Sequence, residues 1–346
     1  MVSGHRDIVV SDADAKPVLS HIRSCSTHAF HAAVPKGQFG AGCHDGCTAF
    51  AHLLVRGFCD FALSHSLCLV AFFLDVKTAS ASVLRSLSIP SIDSDAVFLE
   101  RLTQLGLSRA EIADILVYIQ SPARFAKFYG TLHNSYFVSY ILSFSLLFSD
   151  FNPDVMVPKS GTLAGSSIAN LIFVIASSVL VDKFELACQA KGLQTEILVD
   201  FDDIGIQGVV SPASLSNDSV CYMDDLCKPV LCPDRQVIDS LNSLVNIANS
   251  VCSSHGLNVN YKPGKSEAVI AYSGPGSKDL RHQIHNVSGN AIDIKCSEEL
   301  IIKLQVSYLI STLARNLHLW PPLPLPSGRD LLPQNLPSKH YVNLCT

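Results

Sequence analysis

The chain has 346 residues, of which 48% are hydrophobic and 16% charged. This composition is typical of one large or two ordinary globular domains with a sizeable core, and it excludes an intrinsically disordered protein. The formal net charge of −5 lacks the basic excess that proteins gripping a long nucleic-acid duplex usually carry.

The first half of the chain predicts one buried strand followed by helices. Leu67–Val76 is a short, continuous apolar run that ends beside a single acid, a pattern typical of a strand buried on both faces. A helical stretch is expected over Ala79–Leu87. Ser108 with Glu111 three residues later matches a capping box, which predicts a helix running to about Gln120.

The second half predicts strands and helices in alternation. After a loop at residues 159–161 we expect, in chain order, a long apolar helix from Gly165 to about Gln189, a strand at Glu196–Val199, two strands at Val220–Met223 and Leu226–Leu231, a helix over Pro233–Ser254 that stops at Gly256, and a strand at Ala268–Tyr272. This order predicts an α+β fold with an antiparallel sheet covered by helices on one face. The Pro-rich run Trp320–Ser338 lacks periodicity, and we expect it to be disordered.

Two features of the sequence bear on the compartment of the protein and on its association with membranes. The 12 cysteines are scattered, and residues 5–14 lack the pattern of a signal peptide. We therefore predict free thiols and an intracellular protein, nuclear or cytoplasmic and not secreted. The apolar runs Tyr136–Phe148 and Leu171–Val181 are shorter than the ~20 residues that span a bilayer, so we expect no membrane association.

The run Tyr222-Met223-Asp224-Asp225 places two adjacent carboxylates inside apolar sequence. Such a pair is costly unless a cation neutralises it, and at the tip of a β-hairpin it can hold a divalent metal. Asp75 ends the other buried strand, and because adjacent strands lie only ~4.8 Å apart, the pairing of these strands could bring the three carboxylates together. Asp202-Asp203 is a rival pair, but it lacks the aromatic–apolar dipeptide before it and the strand after it.

A series of short motifs surrounds these acids: Arg6-Asp7-Ile8 with Lys16, Gln38-Phe39-Gly40, Phe73–Ala79 around Asp75, Gly161–Gly165, Tyr222–Asp225, Gly256–Asn260 with Lys265-Ser266-Glu267, and Ser307–Ser311. In kind, order and spacing they resemble the reverse transcriptases of non-LTR retrotransposons. The resemblance extends from Arg6 to about Ser311. It implies a right-hand polymerase fold, with partial fingers at 1–66, a palm at 67–311 interrupted by a fingers insertion at roughly 88–155, and a Pro-rich tail at 312–346.

The resemblance implies an RNA-directed DNA polymerase that extends a primer 3′-hydroxyl by two-metal nucleotidyl transfer. Asp75, Asp224 and Asp225 would hold two Mg²⁺ ions, with Mn²⁺ as a substitute. Lys265 would act as the general acid toward pyrophosphate, and Lys262 competes for that role because two extra residues follow Asn260. The partners implied are an RNA template, a DNA primer and deoxynucleoside triphosphates, with no obligate protein partner. The residues expected to contact these substrates are Arg6, Lys16, Gln38, Ser80, Gly161, Gly165 and Tyr222.

Several positions depart from the family's pattern. Ser80 stands where the family has an aromatic residue that blocks the ribose 2′-hydroxyl, and Ile310 replaces the glycine of the primer-grip turn. Neither the thumb nor the endonuclease domain has a recognisable counterpart. A second interpretation is therefore a catalytically inactive, truncated remnant that keeps the palm fold and binds nucleic acid weakly at most. A third is an unrelated α+β metal-binding protein.

Overall fold

The computed structural model describes residues 16, 17, 20, 21, 23, 24, 31, 34–43, 47–77, 79, 95–104, 106–120, 147–149, 152–156, 169–199, 213–296 and 300–308. The chain divides into two units between Tyr308 and Leu309, and all of the described residues belong to the first unit. The predicted domain boundary between residues 66 and 67 stays a prediction, and the tail predicted at 312–346 lies outside the described residues.

The described helices are α1 (Thr48–Ser64), α2 (Asp95–Gln104), α3 (Arg109–Gln120), α4 (Ala169–Ala190), α5 (Val237–Ser253) and α6 (Ser277–His282). The described strands are β1 (Cys68–Leu74), β2 (Leu147–Ser149), β3 (Asn152–Met156), β4 (Glu196–Val199), β5 (Ala213–Ser216), β6 (Val220–Tyr222), β7 (Asp225–Cys232), β8 (Glu267–Ala271), β9 (Ala291–Lys295) and β10 (Ile301–Tyr308). None of the described helices is both long and apolar enough to cross a membrane.

A six-stranded sheet with the order β6-β7-β1-β8-β10-β9 organises this unit. Its neighbouring strands run antiparallel, except for β8 and β10, which are parallel. Two separate hairpin-like pairs, β2 with β3 and β4 with β5, complete the described strands. The prediction of an α+β fold is therefore confirmed, and the sheet, predicted to be antiparallel, is so except for the parallel pair of β8 and β10.

The central strand β1 is buried along almost its whole length, as its continuous apolar sequence predicts. Its residues alternate between the two faces of the sheet. Val70 and Phe72 belong to the main core, where they are completely buried together with Phe184 of α4 and Leu241 of α5. The helices α4 and α5 therefore form the layer that the sequence predicts on one face of the sheet.

A helix also covers part of the opposite face, so the prediction of helices on one face only is wrong. Ala71 of β1 forms a second buried cluster with Val220 and Cys227, and residues of α1 such as Leu54 and Val55 pack against it. The reason lies in β1 itself. A strand that is apolar at every position needs an apolar layer on both sides, since either face left in water would cost hydrophobic free energy.

The helix and strand predictions that fall on described residues are confirmed in type and place, except that the helix predicted from Pro233 begins with a short 3₁₀ helix at Asp234–Gln236 before α5. The capping box forms as predicted: the Ser108 backbone N–H donates to Glu111 Oε2 at 2.8 Å, and the Glu111 N–H donates to Ser108 Oγ at 3.3 Å. Strand β4 matches its predicted bounds, and β6, β7 and β8 match theirs within one residue at each end. Gly256, with a φ of 71°, follows the end of α5.

Other predicted segments lie outside the described residues. These are most of the helix expected over Ala79–Leu87, the loop at 159–161, the first residues of the long helix from Gly165, and the rival acidic pair Asp202-Asp203. The described part of that long helix is α4, which begins at Ala169.

A buried ion pair behind the β6–β7 hairpin was not predicted. The Lys228 side chain is 0% exposed, and its Nζ lies 2.6 Å from Glu185 Oε2. Lys228 also donates to the Asn217 carbonyl at 2.7 Å, and Glu185 Oε1 accepts from the Ser219 backbone N–H at 2.8 Å and from the Ser219 hydroxyl. This network ties α4 to both strands of the hairpin, because Ser219 directly precedes β6 and Lys228 lies in β7.

We expect Lys228→Ala to lower the free energy of unfolding by about 3 kcal/mol, because Glu185 would keep its charge without its partner. Urea denaturation followed by circular dichroism measures the loss. Lys191→Ala, which removes an exposed lysine directly after α4, serves as the control and should change stability by less than about 0.5 kcal/mol. Equal unfolding midpoints for Lys228→Ala and the wild type would show that the pair does not stabilise the hairpin.

Candidate functional site

The register of the sheet brings Asp75 and Asp225 to the same end of two neighbouring strands. The antiparallel pairing of β1 with β7 ends at Leu74 opposite Leu226. Asp75 follows Leu74 and Asp225 precedes Leu226, so the two acids are the next residues along each strand. Facing Cα atoms in antiparallel strands lie roughly 4.5–5.5 Å apart. Carboxylates that are 150 positions apart in the sequence therefore become neighbours.

Asp224 lies at the tip of the hairpin between β6 and β7. The last paired residues are Tyr222 and Asp225, which leaves Met223 and Asp224 as a two-residue turn. Met223 has a φ of 60°, in the left-handed region that a non-glycine residue enters at a cost of about 1 kcal/mol. Contacts from elsewhere in the chain must therefore hold this turn.

Gln38 supplies these contacts. Its Oε1 accepts from the Met223 N–H at 3.1 Å and from the Gly40 N–H at 2.8 Å, and its Nε2 donates to the Met223 carbonyl at 3.4 Å. The side chain is buried, with only 2% of its surface exposed. Gln38 thus holds the backbone of the acidic turn, and its predicted contact with substrate stays a prediction.

The segment that carries Gln38 extends the edge of the sheet beside β6. The Phe39 N–H donates to the Cys221 carbonyl at 2.8 Å, and the Cys221 N–H donates to the Gly37 carbonyl at 2.7 Å. A Cβ on Gly40 would lie 2.3 Å from the Met223 nitrogen, and one on Gly37 would lie 2.0 Å from the Ser219 carbonyl oxygen. Glycine is required at both positions because the two backbones come so close.

Asp75 is held by the loop that precedes β8. Its Oδ2 accepts from Asn260 Nδ2 at 2.7 Å, and Lys265 Nζ lies 3.6 Å from its Oδ1. Its backbone is held as well: the Asn260 N–H donates to the Asp75 carbonyl at 2.9 Å, and the Asp75 N–H donates to Ser266 Oγ at 2.9 Å. Both carboxylate oxygens of Asp75 therefore have partners from this one loop.

The structure distinguishes the two candidate lysines of this loop by their position. Both lysines are exposed, but of the two only Lys265 forms an ion pair with Asp75, whereas the Lys262 backbone N–H donates to Asn260 Oδ1 at 3.4 Å. The two lysines belong to one turn, in which the Lys265 N–H donates to the Lys262 carbonyl at 3.0 Å and Gly264 has a φ of 74°. The catalytic role predicted for Lys265 stays a prediction.

The charges of this site act on one another. The pKa of Asp225 is raised above its usual value, first by burial and then by the negative charges of Asp224 and Asp75, while the positive charge of Lys265 lowers it. These four side chains are called the acidic cluster below. Burial, followed by the two neighbouring negative charges, therefore destabilises ionised Asp225.

The donors of the acidic cluster fit a divalent cation in their chemistry. Carboxylate oxygens are the ligands that Mg²⁺ and Mn²⁺ prefer, and a cation would relieve the repulsion among the acids. In the present side-chain arrangement, no three Asp, Glu, His or Cys side chains of the described residues gather closely enough to hold a metal ion. The ammonium of Lys265 supplies positive charge beside Asp75 instead.

The remaining predicted site residues are distributed as follows. Tyr222 is partly buried in β6, opposite Asp225. Lys16 is exposed. The positions of Arg6, Ser80, Gly161 and Gly165 lie outside the described residues.

Asn260 and Ser266 were not predicted as site residues, although both belong to the motif that also contains Lys265. Their direct bonds to Asp75 make them part of it. The available signal was the spacing of Asn260, Lys265 and Ser266 after the turn at Gly256.

Comparisons of the chain with protein-family models and with curated proteins give no match. A function must therefore be inferred from the residues and their geometry.

We expect Gln38→Ala to loosen the acidic turn, because the Met223 N–H loses its partner. The buried donor left unpaired should cost about 2 kcal/mol of stability, and the amide hydrogens of residues 221–225 should exchange with solvent faster. Hydrogen exchange read by mass spectrometry measures this change. Gln189→Ala, at an exposed position near the end of α4, is the control. Unchanged exchange at 221–225 in Gln38→Ala would show that Gln38 does not hold the turn.

We expect Asp225→Asn to stabilise the protein at neutral pH. A carboxyl group whose pKa is raised in the folded state has no effect on stability at a pH below its usual pKa near 3.8, and it destabilises the fold progressively as the pH rises from there through the raised pKa. The gain in unfolding free energy over the wild type should therefore be larger at pH 7.5 than at pH 4.5. Urea denaturation at both pH values tests this. A variant that is less stable than the wild type at pH 7.5 would contradict the expectation.

Proposed function

We propose that this chain is the palm, with part of the fingers, of an RNA-directed DNA polymerase of the non-LTR reverse transcriptase type. The observation that carries the proposal is the convergence of the acidic cluster. Asp75 follows the last residue of β1 and Asp225 is the first residue of the neighbouring strand β7, so both lie at the same end of the two strands, and Lys265 pairs with Asp75. These residues come from three motifs that are far apart in the sequence, and each motif resembles one of that family.

The topology supports the same proposal. Strand β1, which is followed by Asp75, lies between β7 and β8. The hairpin of β6 and β7 carries Asp224 and Asp225, and β8 follows the loop that carries Lys265. The sheet is mostly antiparallel, with the helices α4 and α5 on one face. In an unrelated protein with scattered acids, the three motifs would not be expected to meet at one end of the sheet.

In the proposed reaction the chain positions its acids and supplies a proton. Asp75, Asp224 and Asp225 would hold two Mg²⁺ ions, or Mn²⁺ in their place. When bound, these ions would lower the pKa of the primer 3′-hydroxyl and offset the charge that develops on the leaving pyrophosphate. Asn260 keeps the Asp75 carboxylate oriented, and Gln38 keeps the turn that carries Asp224 in place. The Lys265 ammonium would donate a proton to the pyrophosphate oxygen that leaves.

The proposed substrates are an RNA template, a DNA primer and deoxynucleoside triphosphates. Gly161 and Gly165 would let the backbone approach the incoming nucleotide, and Arg6 and Lys16 would contact phosphates. At Ser80 the aromatic residue that excludes a ribonucleotide is missing, so discrimination between the two sugars should be weak. These assignments rest on the resemblance of the motifs alone.

A primer-extension assay on an RNA template with Mg²⁺ tests the proposal. We expect Asp224→Ala to lower the extension rate at least about 100-fold, because it removes one of the three carboxylates that would hold the Mg²⁺ ions. Asp279→Ala, which removes an exposed acid on α6, should retain wild-type activity and controls for the loss of one negative charge. Wild-type protein that makes no more product than Asp224→Ala would refute the polymerase and leave an inactive remnant with a palm fold.

A further inference from the structure

We propose that Lys265 is an exchangeable counter-ion of Asp75, which a divalent cation must displace before the site can work. Metal binding and the release of the proton donor would then be one event. This inference rests on the metal-binding part of the proposed function. It assigns the Lys265–Asp75 pair a regulatory role, since a protein without metal would keep its general acid away from substrate.

The geometry of the pair fits an exchangeable contact. Lys265 Nζ lies 3.6 Å from Asp75 Oδ1, and the two side chains are 46% and 27% exposed. Lys228 and Glu185, by contrast, are 2.6 Å apart, and Lys228 is fully buried. Exposed ion pairs at such distances are weak because water and salt screen them. The Lys265–Asp75 contact can therefore open at little cost, whereas the Lys228–Glu185 contact cannot.

The loop allows the lysine to leave while Asp75 stays in place. Asn260 holds the other carboxylate oxygen, Oδ2, at 2.7 Å, and Ser266 holds the Asp75 backbone. Between these two anchors lies the turn of Lys262–Lys265. A Cβ built on Gly264 would have no atom within 4 Å, so this turn is not packed against a neighbour there. Movement of Lys265 exposes Oδ1 without releasing the rest of the loop.

The charges of the cluster favour the exchange. One ammonium cannot neutralise three carboxylates, and a divalent ion placed among them would offset more of the repulsion. Competition also explains why the described carboxylates are not gathered around one point. Asp75 is directed to Asn260 and Lys265, and a cation that replaces Lys265 would draw Asp75 and Asp225 toward itself.

The test is the affinity of the protein for Mn²⁺, measured by electron paramagnetic resonance of the free ion at low salt. If Lys265 competes with metal, Lys265→Ala should bind Mn²⁺ about three- to tenfold more tightly than the wild type. Lys265→Gln keeps much of the side chain without its charge and should show the same gain, while Lys265→Arg should resemble the wild type. At high salt the gain should shrink, because screening weakens the competing pair.

Lys262→Ala is the matched control, because it removes one positive charge from the same turn without removing the partner of Asp75. Its Mn²⁺ affinity should stay within about twofold of the wild type. Unchanged or weaker Mn²⁺ binding by Lys265→Ala overturns the inference even if the wild type extends primers. Equal gains in Lys262→Ala and Lys265→Ala also overturn it, since they would reflect net charge alone.

The same measurements distinguish this inference from the proposed function. Tighter Mn²⁺ binding by Lys265→Ala in a protein that extends no primer supports the exchange and refutes the polymerase. If neither the wild type nor Lys265→Ala binds Mn²⁺, both proposals fail.

Discussion

Carboxylates that end neighbouring strands of a sheet repel one another, and here the register fixes that proximity. Because Leu74 pairs with Leu226, the backbones of Asp75 and Asp225 cannot move apart without breaking the pairing of β1 with β7, which is buried between two apolar layers. Asp224 adds a third charge from the turn. The repulsion among these carboxylates therefore destabilises the fold at this end of β1 and β7. The contacts that surround it either hold the carboxylates in place or supply positive charge.

The two kinds of contact differ in strength. Gln38 bonds to the backbone of Met223, next to Asp224. Ser266 accepts from the Asp75 backbone N–H, and Asn260 donates to one carboxylate oxygen of Asp75, so all three contacts come from neutral groups. The buried pair of Lys228 and Glu185 joins strand β7 of the hairpin to α4. The only ionic partner that the described residues give Asp75 is the exposed and more distant Lys265. Neutral groups thus hold the acidic residues in place, while the Lys265 ammonium is held weakly. A divalent metal ion can therefore replace this ammonium beside Asp75.

Much of this arrangement could be predicted from local sequence patterns. The continuous apolar run of β1, the capping box at Ser108 and Glu111, and the acidic pair between two apolar strands each identify an element within one or two residues. Patterns of this kind depend on neighbours in the chain. The helix on the second face of the sheet was missed, although a strand apolar at every position already requires a layer on both sides. The Lys228–Glu185 pair and the contact of Gln38 with Met223 join residues that are 43 and 185 positions apart. No periodicity records such contacts, and a lysine in an apolar strand gives no sign of its partner.

If the site is a polymerase centre, the lysine that pairs with Asp75 in the absence of metal is also the proposed proton donor, and metal binding would free it for that role. The measurement that tests this most directly is a crystal structure of the protein soaked in Mn²⁺, with anomalous diffraction used to locate the ion. The account predicts an anomalous peak between Asp75 and Asp225, with Asn260 still bonded to Asp75 and Lys265 displaced from it. A structure at saturating Mn²⁺ with no peak there and the Lys265–Asp75 pair intact would contradict it.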